Sequence, residues 1–276
     1  MFKYLNPKRF YHAVGKKAFL EFLLSIVFLG FFYLPLIYSG ILAFANKYQY
    51  PSIMPEEFGF NWWKFILSRD NLLGSIFNSL IIAILVTVLS LLICLPASYA
   101  LARYKFKGKS LVMLSYLLTN AFPKMCLYVS IAIVFYKLNL MGTYVGVIII
   151  HLINTIMYMV RLPMGAFSKI HKEQEEAARD MGASKFQTFR DVTLPLAIPS
   201  IAISSIFTFL LSLEESQGTM VVGFPQISTM ATEMYAVIMD FPVTAGAVFS
   251  MLLIIPGLIV IFAFRKYISA DAISIK

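Results

Sequence analysis

The stretch GSIFNSLIIAILVTVLSLLICLPASYALA, from Gly74 to Ala102, decides the fold. It carries no Asp, Glu, Lys or Arg. A helix needs about 20 mostly apolar residues to cross the hydrocarbon core of a bilayer, and this stretch is longer than that. The pattern recurs on both sides of it. Apolar runs cover Ala18 to Ala45, Leu111 to Lys137, Tyr144 to Phe167, Leu196 to Val222 and Ala245 to Phe264. The 276 residues are 59% hydrophobic and 13% charged, with a mean hydropathy of +0.79. Soluble domains carry about a quarter charged residues, so the composition points away from one large soluble core. Backbone polar groups in lipid must bond within their own segment, so each run is expected to be helical. The fold class is therefore all-α, a polytopic membrane protein with six transmembrane helices. Pro35, Pro96, Pro123, Pro163, Pro199 and Pro256 fall inside the runs and are expected to kink or break them.

Basic residues orient the spans. Eighteen of the 23 Lys and Arg residues fall in the N-terminal tail, between the second and third runs, from the end of the fourth run (Arg161) to the fifth, and at the C-terminal end. Cytoplasmic loops carry the excess of Lys and Arg. Both termini are thus expected in the cytoplasm, with residues 1–17 as a tail and 18–276 as a single transmembrane domain. Tyr48, Tyr50, Trp62 and Trp63 fit an outer aromatic belt. The first run has a basic front and an Ala43-Phe44-Ala45 triplet, as a secretory signal has. Its apolar stretch is about twice a signal core of roughly 7–15 residues, so it reads as a retained anchor. The net charge of +9 reports topology, not nucleic-acid binding. No internal repeat or low-complexity tract is visible. Cys94 and Cys126 lie in apolar runs without a C-x-x-C or a zinc-ligand spacing, so no metal site is expected.

The segment of about 169–195 is too polar for lipid. It reads as two short helices with a hinge. Glu173 to Met181 contains good helix formers, and Gly182 is placed to end that helix in a left-handed conformation. Ser184-Lys185-Phe186-Gln187 matches a capping box that opens a second helix, and Pro195 is expected to break it. Glu176 and Asp180 are four apart and share a face. Ala177 and Ala178 are small enough for a partner surface to approach. Phe186 and Phe189 offer apolar anchors.

The run Glu176-Ala177-Ala178-Arg179-Asp180-Met181-Gly182, followed after nine residues by Val192-Thr193-Leu194-Pro195, reads E-A-A-x-x-x-G-x9-V-x-L-P. It resembles the cytoplasmic signature loop of the membrane subunits of bacterial ABC importers. Asn78-Ser79-Leu80, Pro96 to Arg103 and Phe106-Lys107-Gly108-Lys109 resemble the N-S-L, A-x-Y-A-L-A-R and F-x-G-[RK] pieces of that family in the same order. Phe207 to Glu215 and Phe241-Pro242-Val243-Thr244-Ala245 resemble its polyamine, ferric-iron and phosphonate branch more than its sugar branch. The chain departs from that branch at Ser216-Gln217-Gly218 and at Met230-Ala231-Thr232. The resemblance implies an inner-membrane permease working by alternating access. Glu176, Ala177, Ala178, Asp180, Gly182, Leu194 and Pro195 would couple it to the ATPase. The implied partners are an ATP-binding subunit dimer, a second permease subunit (identical or homologous) and an extracytoplasmic substrate-binding protein. ATP and magnesium would sit on the ATPase, leaving this chain without cofactor or catalytic residues. Gly108-Lys109-Ser110 looks like the end of a phosphate-binding loop, but Arg103 stands where its first glycine belongs.

Glu21 and Arg161 sit near the cytoplasmic ends of their runs and can snorkel to the interface, whereas Lys124, Glu214 and Glu215 fall deeper. Such charges are candidates for the substrate path. A glutamate suits a cation such as a polyamine. Lys124 suits an oxyanion. Alternatively, Lys124 pairs with a glutamate or with a partner subunit. His151 reads as a satisfied buried imidazole. The substrate expectation is a polyamine or similar small charged solute. A carbohydrate-type permease and an ion-coupled secondary transporter using Lys124, Glu214 and Glu215 are the alternatives.

Overall fold

A computed structural model of the chain describes residues 7–268. Its contacts divide the chain into two compact units, Met1–Ile66 with Pro242–Met251, and Leu67–Phe241 with Leu252–Lys276.

In the first unit, helix α1 (Pro7–Ala43) is interrupted at Gly15, whose φ of 81° and ψ of 161° are not helical. From Gly15 to Ala43 it is long and apolar enough to cross a membrane. Leu24, Phe28, Phe31 and Leu34 leave its apolar surface exposed all round, the character of a helix built for lipid or another apolar partner. Strand β1 (Ala45–Lys47) then pairs antiparallel with β2 (Glu57–Phe58). The ribbon is tied to α2 (Asn61–Leu67) through Asn46. The Asn46 carboxamide oxygen accepts from the Asn61 N–H at 3.0 Å, and its backbone carbonyl accepts from the Trp62 indole at 3.2 Å. Phe44 stacks on Trp63 at 5.6 Å.

The second unit runs through α3 (Asp70–Arg103), α4 (Lys109–Ala121), α5 (Lys124–Lys137) and α6 (Tyr144–Lys169). It continues with α7 (Lys172–Asp180), α8 (Lys185–Thr188), a π-helical turn (Phe189–Thr193), α9 (Leu194–Glu214), α10 (Gln217–Val222) and α11 (Met230–Asp240). Helix α12 (Val243–Ala263) is shared between the units, and α13 (Arg265–Ile268) follows. Helices α3, α6 and α9 pack on one another and form the core. Lipid supplies no hydrophobic drive between helices, so small residues and interhelical hydrogen bonds must hold them. The buried faces match this need: Ser75, Ser79, Ser90 and Ser98 on α3, and Ala197, Ala202, Ser204 and Ser212 on α9. Ser98 Oγ donates to the Met159 carbonyl at 3.2 Å and Ser200 Oγ to the Leu162 carbonyl at 2.8 Å, joining α3 and α9 to α6.

Five helices among the described residues are long and apolar enough to span a membrane, or six if a bent pair counts as one. That pair is the run read as one helix over Leu111 to Lys137, which is bent by 104° between α4 and α5. Phe122 is extended there, because Pro123 restricts the residue before it. The run read as Leu196 to Val222 also breaks: α9 stops at Glu214, Glu215 is extended, and α10 opens at Gln217. Pro195 does the opposite of what was expected. The chain stays helical from Lys185 to Glu214. The widened turn before Pro195, with the Leu194 N–H bonded to the Phe189 carbonyl, accommodates a ring that a tight α-turn would not. Pro35, Pro96, Pro163, Pro199 and Pro256 sit within helices without ending them.

Candidate functional site

The charged loop is ordered by local bonds that can be traced residue by residue. Helix α7 ends in a Schellman motif. The Gly182 N–H bonds to the Arg179 carbonyl at 2.9 Å and the Ala183 N–H to the Ala178 carbonyl at 3.1 Å. Gly182 has the φ of +92° that this motif requires. Ser184 then caps α8 reciprocally: its Oγ accepts from the Gln187 N–H at 3.3 Å, and the Gln187 side chain accepts from the Ser184 N–H at 2.8 Å. Helix α7 occupies Lys172–Asp180, one residue earlier than the expected Glu173 to Met181.

What mounts this loop on the membrane helices is a buried ion pair. Arg103, the last residue of α3, donates from one terminal nitrogen to the Ile170 carbonyl at 2.9 Å and from the other to Glu175 Oε1 at 2.8 Å. Thr193 Oγ1 donates to the same Glu175 oxygen at 2.7 Å. Both charged side chains are less than a tenth exposed, at 8% and 7%. Glu175 therefore ties α7 to the end of α3 and to the π-turn leading into α9. Beneath it, Tyr99 meets Phe167 edge-on at 5.4 Å and Phe189 at 5.0 Å.

This placement divides the expected coupling residues. Glu176, Ala177, Asp180, Gly182 and Pro195 are exposed, Leu194 is half-buried, and Ala178 is buried, with little of its side chain at the surface. Of the two phenylalanines, Phe189 packs into the aromatic cluster and Phe186 is exposed. A cavity of about 310 Å³ opens beside the loop, lined by Lys172, Glu176, Arg179 and Lys185 with Arg103 and Tyr104.

Sequence reasoning missed Glu175, Thr193 and the structural role of Arg103. One signal was available. Glu175 and Ala178 are three apart and share a helix face, opposite the one presenting Glu176 and Asp180. Nothing local joins Glu175 to an arginine on another helix.

The intramembrane charges do not come together. Lys124 is exposed at the start of α5, directly after the break, and makes no salt bridge among the described residues. The Lys124–glutamate pair considered from sequence is absent there. Glu215 is bound elsewhere: Oε2 accepts from the Tyr128 hydroxyl and Oε1 from the Gly218 N–H, both at 2.8 Å. His151 is satisfied, with Nδ1 2.8 Å from Ser212 Oγ and Nε2 2.8 Å from Thr219 Oγ1. Together these bonds fasten α5 and α6 to the break between α9 and α10. Glu214 is exposed at the end of α9, whereas Glu215 just beyond it is buried.

Fold and loop define a polytopic helical membrane protein with a charged helical loop mounted on the ends of its core helices. Residues 94–271 match the family model of the binding-protein-dependent transport system inner membrane component. The chain belongs to that family, the membrane subunits of ABC importers. It is 24% identical over 209 residues to the spermidine/putrescine transport system permease protein PotC of Escherichia coli K12, covering 76% of this chain and 78% of that one. It is 27% identical over 173 residues to the diacetylchitobiose uptake system permease protein DasC of Streptomyces coelicolor, covering 63% of each. Its fold matches a bacterial alginate ABC transporter, solved with an alginate-bound periplasmic protein, at a TM-score of 0.70 and 14% identity over 99% of both chains. The chain is thus a transport subunit of the inner membrane.

Proposed function

We propose that this permease subunit moves a polyamine or similar small cationic solute inward, driven by a separate cytoplasmic ATPase dimer that grips the loop around α7. The observation that carries the mechanical part is the mounting of the loop. Glu176, Ala177 and Asp180 face outward on a helix whose other face is fixed to α3 and α9 through Glu175. A force applied to α7 would reach the spans without being lost in a flexible tether. Closure of the ATPase dimer would carry α7, α8 and the π-turn as one body and change the side to which the path opens, a two-state element biased by nucleotide. A second permease subunit would complete the path, an external binding protein would deliver the solute, and both termini would be cytoplasmic. The similarity to PotC supports the cationic substrate. The similarity to DasC favours a second reading, a carbohydrate substrate.

The test is mass spectrometry of what co-purifies with the tagged chain at native expression. An ATPase subunit should be recovered with the wild type and lost when Glu176 and Gly182 are replaced. Recovery of the chain alone under gentle detergents would remove the ATPase-driven mechanism.

A further inference from the structure

Glu214 and Glu215 are neighbours in sequence and opposites in environment. Both carboxylate oxygens of Glu215 are occupied by donors of the fold. Glu214, the last residue of α9, makes no ion pair or side-chain hydrogen bond among the described residues. It opens instead onto a cavity of about 220 Å³ between α9 and α12. The other walls are apolar, with Leu210 and Leu213 from α9 and Leu253, Ile254 and Leu258 from α12. Gly257 leaves the cavity open on the α12 side: a Cβ there would stand 2.9 Å from Leu210 Cδ2.

The depth of this carboxylate makes it informative. His151 bonds to Ser212, two residues before Glu214. At 1.5 Å per residue, His151 lies roughly 10 Å along α6 from its first residue, Tyr144. Glu214 therefore lies level with the interior of α6, a helix long and apolar enough to cross a membrane, and an uncompensated charge within the hydrocarbon costs at least ~2.5 kcal/mol on insertion scales. No cation pairs with it among the described residues. We infer that the Glu214 cavity is a binding site for an ammonium group carried on an alkyl chain. The carboxylate takes the ammonium, and the Leu and Ile walls take the methylenes. An oxyanion would be repelled, and a sugar would find one acceptor where it needs several polar partners. This rests on the importer reading and names the substrate chemistry of its path.

The experiment uses the whole transporter, with its ATPase and binding protein, in proteoliposomes. ATP-driven uptake of labelled spermidine is measured together with photo-crosslinking by an aryl-azide spermidine. The adduct is expected on peptides containing Glu214 or residues 253–258. Glu214→Gln should reduce both adduct and uptake at least about tenfold, the scale of one lost charge-assisted bond, while Glu214→Asp retains most of each. Gly257→Leu, which fills the cavity, should also lose the adduct. ATPase co-purification should be unchanged in Glu214→Gln. Wild-type adduct and uptake in Glu214→Gln would overturn the site and leave the importer reading intact. Loss of ATPase co-purification in both Glu214→Gln and Glu214→Asp would make the carboxylate structural and overturn it as well. ATP-driven uptake of diacetylchitobiose with none of spermidine would overturn both the site and the cationic substrate. Absence of ATP-driven uptake of either, with the ATPase still co-purifying, would overturn the site and the cationic substrate and leave the importer reading intact.

Discussion

Glu175 is one residue from the most recognisable position of the signature and has a different physical task. Its carboxylate is desolvated and survives because Arg103 and Thr193 both donate to it. Removing one member of a buried pair strands the other, at about 3–5 kcal/mol. Glu175→Ala is therefore expected to lower the thermal denaturation temperature in detergent and to release the loop from α3 and α9. Glu175→Gln keeps an acceptor for Thr193 and should be milder. Arg103→Lys should resemble Glu175→Ala, because one ammonium does not reproduce the two-point fork onto Ile170 and Glu175. Glu176→Ala makes the contrast: an exposed residue, expected to leave stability nearly unchanged while reducing ATPase co-purification. Equal stability losses in Glu175→Ala and Glu176→Ala would refute this division. At the residue scale the sequence disclosed Gly182 and Ser184, because their signals are local backbone chemistry. It concealed Glu175, whose meaning depends on a residue 72 positions away.

At the scale of elements, the breaks in the third and fifth runs have different causes. The α4–α5 break follows from Pro123 and was legible. The α9–α10 break has no proline and no glycine at its first residues. It is held open by side chains: Glu215 accepts from the Gly218 N–H in the first turn of α10, and Tyr128 and His151 bind the break from α5 and α6. Gly218 makes the arrangement possible, since a Cβ there would collide with Ile150 Cγ2 and crowd the Tyr128 ring. Gly218→Ala is expected to destabilise the chain by about 1–3 kcal/mol, the range for overpacking a close-packed site. It should also push α10 away from α6. A cysteine pair placed across α6 and α10 would read this as reduced disulfide formation; unchanged cross-linking in Gly218→Ala would remove the close-packing account. Discontinuous helices of this kind, at membrane depth, are tolerated where protein or a solute path covers the freed backbone. Span counting by hydropathy misses them because both halves of the break are equally apolar.

For the whole molecule, charge decides the orientation that hydropathy leaves open. The loops between α3 and α4 and around α7 carry Arg103, Lys105, Lys107, Lys109, Lys172, Arg179 and Lys185. The β1–β2 ribbon carries Lys47 beside Glu56 at 2.6 Å, so its charge is locally balanced. The first set holds seven Lys and Arg residues where the ribbon holds one, and it is this excess that is retained on the cytoplasmic side. The ribbon is therefore expected outside and both basic loops inside. Membrane-impermeant maleimide tests this in intact cells on single-cysteine variants, after replacement of the exposed Cys126 and the buried Cys94. A cysteine at position 53 of the ribbon loop should be labelled from outside. Cysteines at 107 and 174 should be labelled only after the membrane is permeabilised. Labelling of position 174 in intact cells would put α7 on the outer side, where no ATP is held, and the loop would then have no ATPase to meet.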